Sequence, residues 1–408
     1  MEEGVVLTYP LFGIVPPGGD LQGGPQGSDR LQSRSPKEVI KVVGVGGGGG
    51  NALSYMIKSG LKGVVSVAAN TDVRALEGVD SDVKIILGRQ LTKGLGAGAR
   101  PELGRQAAVE SKDEIRRVLE GADMIYFAAG MGGGTGTGAL PVMAAMAREM
   151  GILTVAVVTK PFTFEGSRRM NNALKGIEEL APVVDSLIVI PNDRLIDLSN
   201  ARMTIEESFA MANDVLRQAV QGVTDLIVNP GLVNVDFADV KAIMSRSGRA
   251  VMGIGSAQGE GRALEALRKA MESPLMEVCL KDASGGLINV TAGPDIGIHE
   301  LNEAAEAFQG YLGEDALFFW GYRQDDDLKG TVKVVVIAAG FEAQGDSTLA
   351  AHRASSRPAP SREEAPRQKP QAAPGGPSQD LQVHSLFEGS SSDLDMPSIL
   401  RRRDTHRS

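Results

Sequence analysis

Five segments in the first half of the chain are apolar at nearly every position. They span residues 39–45, 64–69, 124–129, 153–158 and 187–190. Continuous apolar runs of this length are typical of strands that are buried on both faces of a parallel sheet. Segments with helical spacing separate most of these runs, among them 52–60 and about 102–120. The pattern therefore predicts an α/β fold with a Rossmann-like parallel sheet.

Three glycine-rich segments, 46–51, 94–99 and 130–138, lie in the same half. The first and the third each stand between an apolar run and a helical run. Glycines let the backbone approach a ligand closely, and the amide groups at a helix start favour an anion. Thr135 and Thr137 add hydroxyl donors to the third segment. We expect a phosphate cradle rather than a flexible linker, because linkers lack such tight apolar flanks.

The segment at 130–138 differs from two familiar phosphate-binding loops. It lacks the Gly-Lys-Ser/Thr ending of a Walker A loop, so no lysine from this loop reaches the terminal phosphates. It also lacks the G-x-G-x-x-G spacing with a following acidic residue that marks a dinucleotide site. A single glycine loop and a ribose-binding acid would indicate a dinucleotide enzyme, whereas this chain has three glycine segments.

Three groups of polar residues have a structural interpretation from spacing alone. The Asn-Thr-Asp sequence at 70–72 fits a turn with a helix cap, although in a dehydrogenase an acid at this place could hold a ribose. Glu165 and Arg169 are four apart, so on a helix they would share a face as a surface ion pair. Asp236 and Asp239 are three apart, and an N-cap and a first-turn acid would explain both.

A long amphipathic segment at 206–228 predicts a helix of more than twenty residues, which ends at an Asn-Pro-Gly sequence. Its apolar positions Phe209, Val215, Leu216 and Val220 suggest a buried stripe. Spacing alone favours a core position for Phe209.

A second group of apolar runs follows the long helix and predicts a smaller α/β domain. In this domain we predict strands at 250–255, 287–291, 317–322 and 332–338 and helices at about 262–272 and 299–312.

Both ends of the chain are rich in glycine, proline, serine and charged residues, which predicts disorder. The last residues carry acidic, apolar and basic blocks in turn and suit a segment that folds on a partner. The predicted organisation is a disordered arm (1–36), a nucleotide-binding domain (37–205), a central helix (206–229), a second α/β domain that begins with an acidic loop (230–341), a disordered linker (342–392) and a C-terminal partner-binding peptide (393–408).

Composition narrows the classes of function. The 408 residues carry a formal net charge of −9, which argues against binding nucleic acid through its phosphates. Cys279 is the only cysteine, so we expect no internal disulfide, which fits a reducing cytoplasm. The four histidines show no zinc spacing. We expect neither a signal peptide nor a membrane span, since the start lacks a basic region and no apolar run is long enough.

The sequence Gly-Gly-Gly-Thr-Gly-Thr-Gly at 132–138 is the signature of tubulins, and the chain resembles the tubulin/FtsZ family from about residue 39 to 341. The resemblance returns in a short piece near the C-terminus. It implies a GTP-hydrolysing, filament-forming cytoskeletal protein of cell division. Because no P-loop lysine is present, Mg²⁺ would carry much of the neutralisation of the phosphates.

The same resemblance assigns roles to individual residues. It places Asn192, Phe209 and Asn213 around guanine, places Glu165 and Arg169 at the ribose, and closes the loop at 94–99 over the terminal phosphate. An Asn amide has both an acceptor and donors, so it can match the edge of guanine. The residues implied to hold GTP or GDP are Gly47, Gly48, Gly49, Gly50, Asn51, Asn70, Thr71, Asp72, Ala97, Gly98, Ala99, Gly130, Gly132, Gly133, Gly134, Thr135, Gly136, Thr137, Gly138, Thr159, Pro161, Glu165, Arg169, Asn192, Phe209 and Asn213; no residue is predicted as a metal ligand.

Catalysis is assigned to Asn234, Asp236 and Asp239 acting on the nucleotide of an adjacent subunit. A helix of more than twenty residues separates the acids from the glycine edge by about 30 Å at roughly 1.5 Å per residue. A head-to-tail stack would bring the two together and would repeat into a filament. A scaffold that binds nucleotide without hydrolysis stays open at this point.

The resemblance also implies partners and a location. We expect a homopolymer of head-to-tail filaments, located in the cytoplasm at the mid-cell division site. The C-terminal peptide would bind division proteins, namely FtsA- or SepF-like membrane tethers and Min-type inhibitors. We expect neither direct membrane insertion nor nucleic-acid binding.

Overall fold

The computed structural model describes residues 38–197, 203–228, 235–245, 248–276 and 280–341. Strands and helices alternate over most of this part of the chain. The strands are β1 (Ile40–Val45), β2 (Val65–Asn70), β3 (Val83–Ile86), β4 (Met124–Gly130), β5 (Leu153–Lys160), β6 (Ser186–Pro191), β7 (Gly248–Gln258), β8 (Gly285–Ala292), β9 (Leu317–Gln324) and β10 (Thr331–Phe341).

The helices cover both faces of the sheet. They are α1 (Gly46–Lys58), α2 (Val73–Glu77), α3 (Arg89–Thr92), α4 (Pro101–Glu110), α5 (Lys112–Leu119), α6 (Thr135–Glu149), α7 (Ser167–Leu180), α8 (Asn192–Asp197), α9 (Ile205–Val228), α10 (Phe237–Met244), α11 (Arg262–Met271) and α12 (Ile298–Tyr311).

All ten strands belong to one sheet with the order β3-β2-β1-β4-β5-β6-β7-β10-β8-β9. The first six strands are parallel, in the order of doubly wound nucleotide-binding folds. Strand β7 continues the sheet beside β6 through three residue pairs, from Ser186 with Gly248 to Ile188 with Ala250. Strand β10 runs antiparallel to both β7 and β8. The predicted fold class is confirmed, and the sheet runs across both predicted domains.

The predicted strands are buried because two helical layers cover them. One core cluster joins the sheet to α1 and α9, and a second joins its other face to α4, α5 and α6. A third cluster lies between β7, β8 and β10 and helices α11 and α12. Sequence analysis missed strand β3, which has only four residues and carries an exposed lysine.

Two predicted helix boundaries are wrong. Apolar spacing starts the first helix after Asn51, but α1 already begins at Gly46. The helix predicted at about 102–120 is instead two helices that are divided at Ser111. The Ser111 hydroxyl accepts a hydrogen bond from the Gly88 amide at 2.9 Å, a tertiary contact that local spacing does not reveal.

Helix α9 runs from one edge of the parallel sheet to the other. Near its start, Phe209 contacts Phe162, which follows the end of β5. At its other end, Val228 packs so closely on Gly63, just before β2, that a Cβ at Gly63 would overlap it. The predicted stripe is buried except at Phe209, whose expected core position is wrong because 40% of the residue is exposed.

Candidate active site

The carboxyl ends of the parallel strands meet at one edge of the sheet, and the predicted binding residues are concentrated there. Strands β1, β2, β4, β5 and β6 end at this edge at Val45, Asn70, Gly130, Lys160 and Pro191. Ligands of open α/β sheets bind outside these strand ends. We call this region the nucleotide edge.

Two glycine segments touch each other at the nucleotide edge, and there is no room for side chains where they touch. A Cβ at Gly48 would lie 3.2 Å from the backbone of Gly130, and a Cβ at Gly49 would overlap the Ala128 carbonyl. By contrast, a Cβ at Gly47 or at Gly133 would meet nothing within 4 Å. The backbone is therefore closed on its protein side and open on the other, which suits a cradle for a bulky anion.

The signature threonines hold the shape of the loop. The Thr137 hydroxyl accepts a hydrogen bond from the Gly132 amide at 2.8 Å, and the hydroxyls of Thr71 and Thr135 are 2.6 Å apart. All three threonine side chains are buried. Because α6 begins at Thr135 and no side chain caps it, its first amide groups and the helix dipole face the edge.

Several predicted binding glycines of the signature segment contact neighbouring backbone. A Cβ at Gly136 would lie 2.9 Å from the Gly130 carbonyl, and a Cβ at Gly138 would overlap the Pro101 carbonyl at the start of α4. These glycines allow close helix packing. They support the cradle from behind.

The loop at 94–99 docks against the signature segment. The Gly96 amide donates to the Thr71 carbonyl at 3.1 Å, and a Cβ at Gly134 would lie 2.7 Å from the Ala97 side chain. Ala99 has a φ of 56°, a left-handed conformation that is costly for a residue with a Cβ. The loop is thus held beside the cradle in a strained form, which fits a loop that closes on a ligand.

The residues at 70–72 serve as a helix cap and also border the site. The Asp72 carboxylate accepts a hydrogen bond from the Ala75 amide at 3.1 Å and begins α2. The same carboxylate lies 3.8 Å from a Cβ built on Gly96, within the docked loop. Asn70 is buried, and its side-chain oxygen accepts from the Asp72 amide at 3.3 Å. Cap geometry explains the sequence pattern, and the position leaves Asp72 at the edge of the cradle.

Glu165 and Arg169 form an ion pair of 2.8 Å, although they do not share one helix. Glu165 ends a short 3-10 turn and accepts a hydrogen bond from the Phe162 amide at 2.9 Å, whereas Arg169 lies in α7. The Glu165 side chain is only 10% exposed, and that of Arg169 is 50% exposed. Pro161 and Thr159, at the end of β5, are buried behind this turn. The pair fixes the turn and leaves the guanidinium at the surface of the nucleotide edge.

An aromatic cluster and a buried amide lie next to one another at the far side of the edge. The rings of Phe162 and Phe209 are 5.4 Å apart and perpendicular, and Phe164 stacks on Phe162 at 4.9 Å. Asn192 is 4% exposed, and its side-chain oxygen has no hydrogen-bond partner among the described residues. Asn213 is half-buried one turn beyond Phe209. A buried free acceptor beside an accessible ring fits a base with N–H donors such as guanine.

Phe164 was missed in the sequence. It is 58% exposed, and its ring lies 6.4 Å from that of Phe209. The only local signal is its place two residues after Phe162.

The predicted catalytic acids lie at the start of α10. Asp236 occupies the N-cap position of α10, as predicted. Its side chain, however, makes no hydrogen bond to the amide groups of the first turn. Asp236 is exposed and Asp239 is half-buried. Neither carboxylate has a hydrogen-bond or ion-pair partner within the described ranges. Asn234 lies outside the described residues.

The acids and the glycine cradle lie at opposite edges of the sheet. Helix α9 has 24 residues, and its length is about 36 Å at the usual rise per residue. After α10 the chain enters β7, whose first residue Gly248 pairs with Ser186 at the beginning of β6. We call this opposite side the acid edge. One chain cannot bring both groups to one phosphate.

The part of the chain that the structure describes contains neither a metal cluster nor a membrane-spanning helix. No group of three or more His, Cys, Asp or Glu side chains in it is close enough to hold a metal ion. None of the helices in the same ranges has the length and apolar character needed to cross a membrane.

Comparisons with known proteins assign the fold to a family. The GTPase domain of the tubulin/FtsZ family matches residues 39–200, and the C-terminal domain of the FtsZ family matches residues 248–342. An empty FtsZ dimer from M. jannaschii is 42% identical, with a TM-score of 0.73, over 76% of this chain and 90% of that one. A point mutant of the same protein, with tyrosine in place of a tryptophan, has the same identity and TM-score over 92% of its own chain.

A more distant structure shows the fold alone. CetZ2 from Haloferax volcanii, solved as a GTPgS-bound protofilament, is 21% identical with a TM-score of 0.66, over 78% of this chain and 97% of that one. The two family domains match in order along the chain, and the chain is 42% identical to a solved relative over most of that relative's length. These two findings identify the family. The chain is a GTP-binding GTPase that belongs to the FtsZ branch of the tubulin/FtsZ family.

Proposed function

We propose that this GTPase assembles head to tail into filaments and hydrolyses GTP at the junction between subunits. The observation that carries the proposal is the separation of two incomplete sites. The glycine cradle lies at one edge of the chain, and two unpaired carboxylates lie at the other, about 36 Å away along α9. A second copy stacked on the first supplies each edge with what it lacks.

The chain's own residues hold the nucleotide. Backbone amides of the two glycine segments and the start of α6 bind the phosphates, Glu165 and Arg169 lie at the ribose, and Asn192, Phe209 and Asn213 surround guanine. Mg²⁺ would neutralise phosphate charge when bound, and the Asp72 carboxylate would help to hold it. Hard oxygen ligands suit this ion, and the Asp72 carboxylate lies 3.8 Å from a Cβ built on Gly96 in the docked loop.

Asp236 and Asp239 position and polarise the attacking water for the nucleotide of the adjacent subunit, with help from Asn234. Phosphoryl transfer depends mainly on such positioning and on electrostatic stabilisation. Free carboxylates suit this role because no protein donor competes for them. In an isolated monomer the same groups lie far from the nucleotide of their own chain, so hydrolysis requires assembly.

Exposed apolar residues at the nucleotide edge support self-association. Leu95 is 83% exposed, Ile205 is 67% exposed and Phe164 is 58% exposed. Phe164 lies beside Phe209, which is itself 40% exposed, and adjacent exposed apolar groups mark interaction surfaces. The M. jannaschii relative was solved as a dimer, which agrees with contact between copies.

Membership of the family supports a proposed cellular role. The filaments form the division ring at mid-cell in the cytoplasm, and the peptide at 393–408 binds FtsA- or SepF-like tethers and Min-type inhibitors. Deletion of residues 393–408 is expected to spare polymerisation and turnover and to abolish partner binding. Impaired hydrolysis in this truncation would contradict the predicted division of the chain.

Phosphate release measured against protein concentration tests the shared site. Turnover per chain should rise steeply with concentration and then level off as filaments form. Light scattering under the same conditions reports assembly. Turnover per chain that is constant under dilution would overturn the proposal, because it would place the whole reaction centre in one molecule.

A further inference from the structure

Arg100 stands where the docked loop meets the signature segment. Its backbone amide donates to the Ala97 carbonyl at 3.1 Å, and a Cβ built on Gly134 would lie 3.0 Å from that same amide nitrogen. Arg100 is also the N-cap residue of α4, whose first residue is Pro101. Two glycine segments therefore fix the position of this arginine's backbone.

The Arg100 side chain turns back over its own loop. A Cβ built on Gly98 would lie 4.0 Å from the Arg100 Nε, and apart from the chain neighbours of Gly98 no other described atom comes within that distance. Gly98 and Ala99 both have a positive φ, of 55° and 56°, so the chain turns sharply just before Arg100. The guanidinium thus lies over the open face of the loop.

The guanidinium is not used by the fold. Arg100 is exposed, and its side chain has no hydrogen-bond or ion-pair partner among the described residues. Other arginines nearby do have structural partners, such as Arg105 with Glu179 at 3.2 Å. An arginine that is free of ion pairs, beside a phosphate cradle that lacks a lysine, is well suited to bind a phosphoryl group.

We propose that Arg100 donates hydrogen bonds to the terminal phosphate of GTP and supplies the positive charge that a P-loop lysine supplies elsewhere. The inference rests on the proposed nucleotide site. Because the loop at 94–99 lies at the side of the cradle remote from the base, Arg100 distinguishes a triphosphate from a diphosphate.

Competition binding with fluorescent GTP and GDP on the full-length chain tests the proposal. Arg100→Gln, which removes the charge and keeps a polar side chain, should weaken GTP binding about tenfold and leave GDP binding unchanged. Arg100→Lys should lie between wild type and Arg100→Gln, because it keeps the charge without the planar fork. Arg89→Ala is the matched control, since Arg89 is also exposed beside this loop but lies in α3, and it should bind both nucleotides like wild type.

Two results would overturn the inference. An equal loss of GTP and GDP binding in Arg100→Gln would show that the arginine maintains the loop instead. Unchanged binding of both nucleotides with slower turnover in filaments would assign Arg100 to the contact between subunits. If the wild-type chain bound no GTP, the proposed nucleotide site itself would fail, which is a separate outcome that the wild-type measurement reveals.

Discussion

The glycine cradle of the nucleotide edge and the acid edge differ in how fully their polar groups are satisfied. At the nucleotide edge, Thr71, Thr135 and Thr137 are buried and hydrogen-bonded, and glycines replace side chains where backbones touch. At the acid edge, Asp236 and Asp239 have no partner within the described residues. The cradle is pre-organised for a ligand, whereas the carboxylates of the acid edge are free to bind one.

This difference indicates how the work of the site is divided. A cradle of fixed amides binds phosphate without reorganisation, so it can act in a single chain. Carboxylates exposed to water contribute little alone, but they gain strength when a second subunit excludes water from them. Affinity should therefore depend on the nucleotide edge, and turnover should depend on the acid edge as well.

The largest expected effect is on turnover. Asp239→Ala should lower phosphate release about 10²- to 10⁴-fold, the usual contribution of a positioned acid or base, while GTP affinity stays within about twofold of wild type. Asp113→Ala is the matched control, because Asp113 is an exposed acid in the first turn of α5. It shares the helix-dipole effect of Asp239 but should leave turnover unchanged.

Mixtures of Asp239→Ala with wild type sharpen the same comparison. Each variant subunit would inactivate the site of its neighbour, so activity should fall more steeply than the mole fraction of wild type. A strictly proportional loss, or a loss of GTP binding by Asp239→Ala, would contradict the assignment of this carboxylate.

The second effect is on stability. A Cβ at Gly138 would overlap the Pro101 carbonyl, so Gly138→Ala should push α4 away from α6 and lower the free energy of unfolding by about 3 kcal/mol. Gly133→Ala, where the new Cβ meets nothing within 4 Å, should change the free energy of unfolding by less than about 0.5 kcal/mol. Urea unfolding measures both. Gly133→Ala should instead weaken GTP and GDP binding, because its Cβ occupies the open face of the cradle.

A smaller effect is expected for the base. Phe209→Ala should weaken GTP and GDP binding by a similar factor, about tenfold, because base stacking on an aromatic ring is worth about 1–3 kcal/mol. Stability should change little, since Phe209 is 40% exposed. Tyr311→Ala, at a ring that is 46% exposed in α12, should leave binding unchanged. A loss confined to GTP would show that Phe209 does not contact the base.

The smallest effect is expected at Asp82, a carboxylate near the acid edge that already has hydrogen-bond partners. Hydrogen bonds from the Ser66 hydroxyl at 2.6 Å and the Ser66 amide at 2.8 Å lower the pKa of Asp82. A lowered folded pKa stabilises the fold above the ordinary carboxylate pKa, and this stabilisation is lost as pH falls through the lowered value. Asp82 is exposed, so the contribution is about a few tenths of a kcal/mol.

Urea unfolding at pH 7 and at about pH 3, below the ordinary carboxylate pKa, tests this contribution. Between the two pH values the free energy of unfolding of Asp82→Asn should fall slightly less than that of wild type. Turnover at neutral pH should be unchanged, in contrast to Asp239→Ala. A large loss of turnover in Asp82→Asn would show that any carboxylate near this edge matters, and the comparison between satisfied and free carboxylates would fail.

Several site features could be predicted from the sequence, because they depend on residue type and spacing. Phosphate cradles need glycine and a helix start, and the segment at 130–138 shows both. The alternating strands and helices place the carboxyl ends of parallel strands together, so the order of the apolar runs was enough to predict the nucleotide edge. The long amphipathic run that forms α9 sets the distance between the two edges.

Other features could not be read from spacing. Glu165 and Arg169 pair across the end of a 3-10 turn and the start of α7, so their contact does not come from one helical face. Phe209 has the spacing of a core residue, but a stripe pattern does not tell whether a neighbouring element covers the position. Arg100 has no motif, and its place beside Gly98 and Gly134 follows only from the docking of one loop on another.

The sequence by itself determined the fold class and the family, and it predicted two kinds of chemistry, because apolar periodicity, glycine placement and residue type are local properties. The tertiary structure decided which glycines have open space on the Cβ side and which lie against a neighbouring backbone. It also decided that the acid pair has no partner among the described residues and lies at the opposite edge of the sheet. These outcomes depend on contacts between segments that are far apart in the chain, which no local pattern encodes.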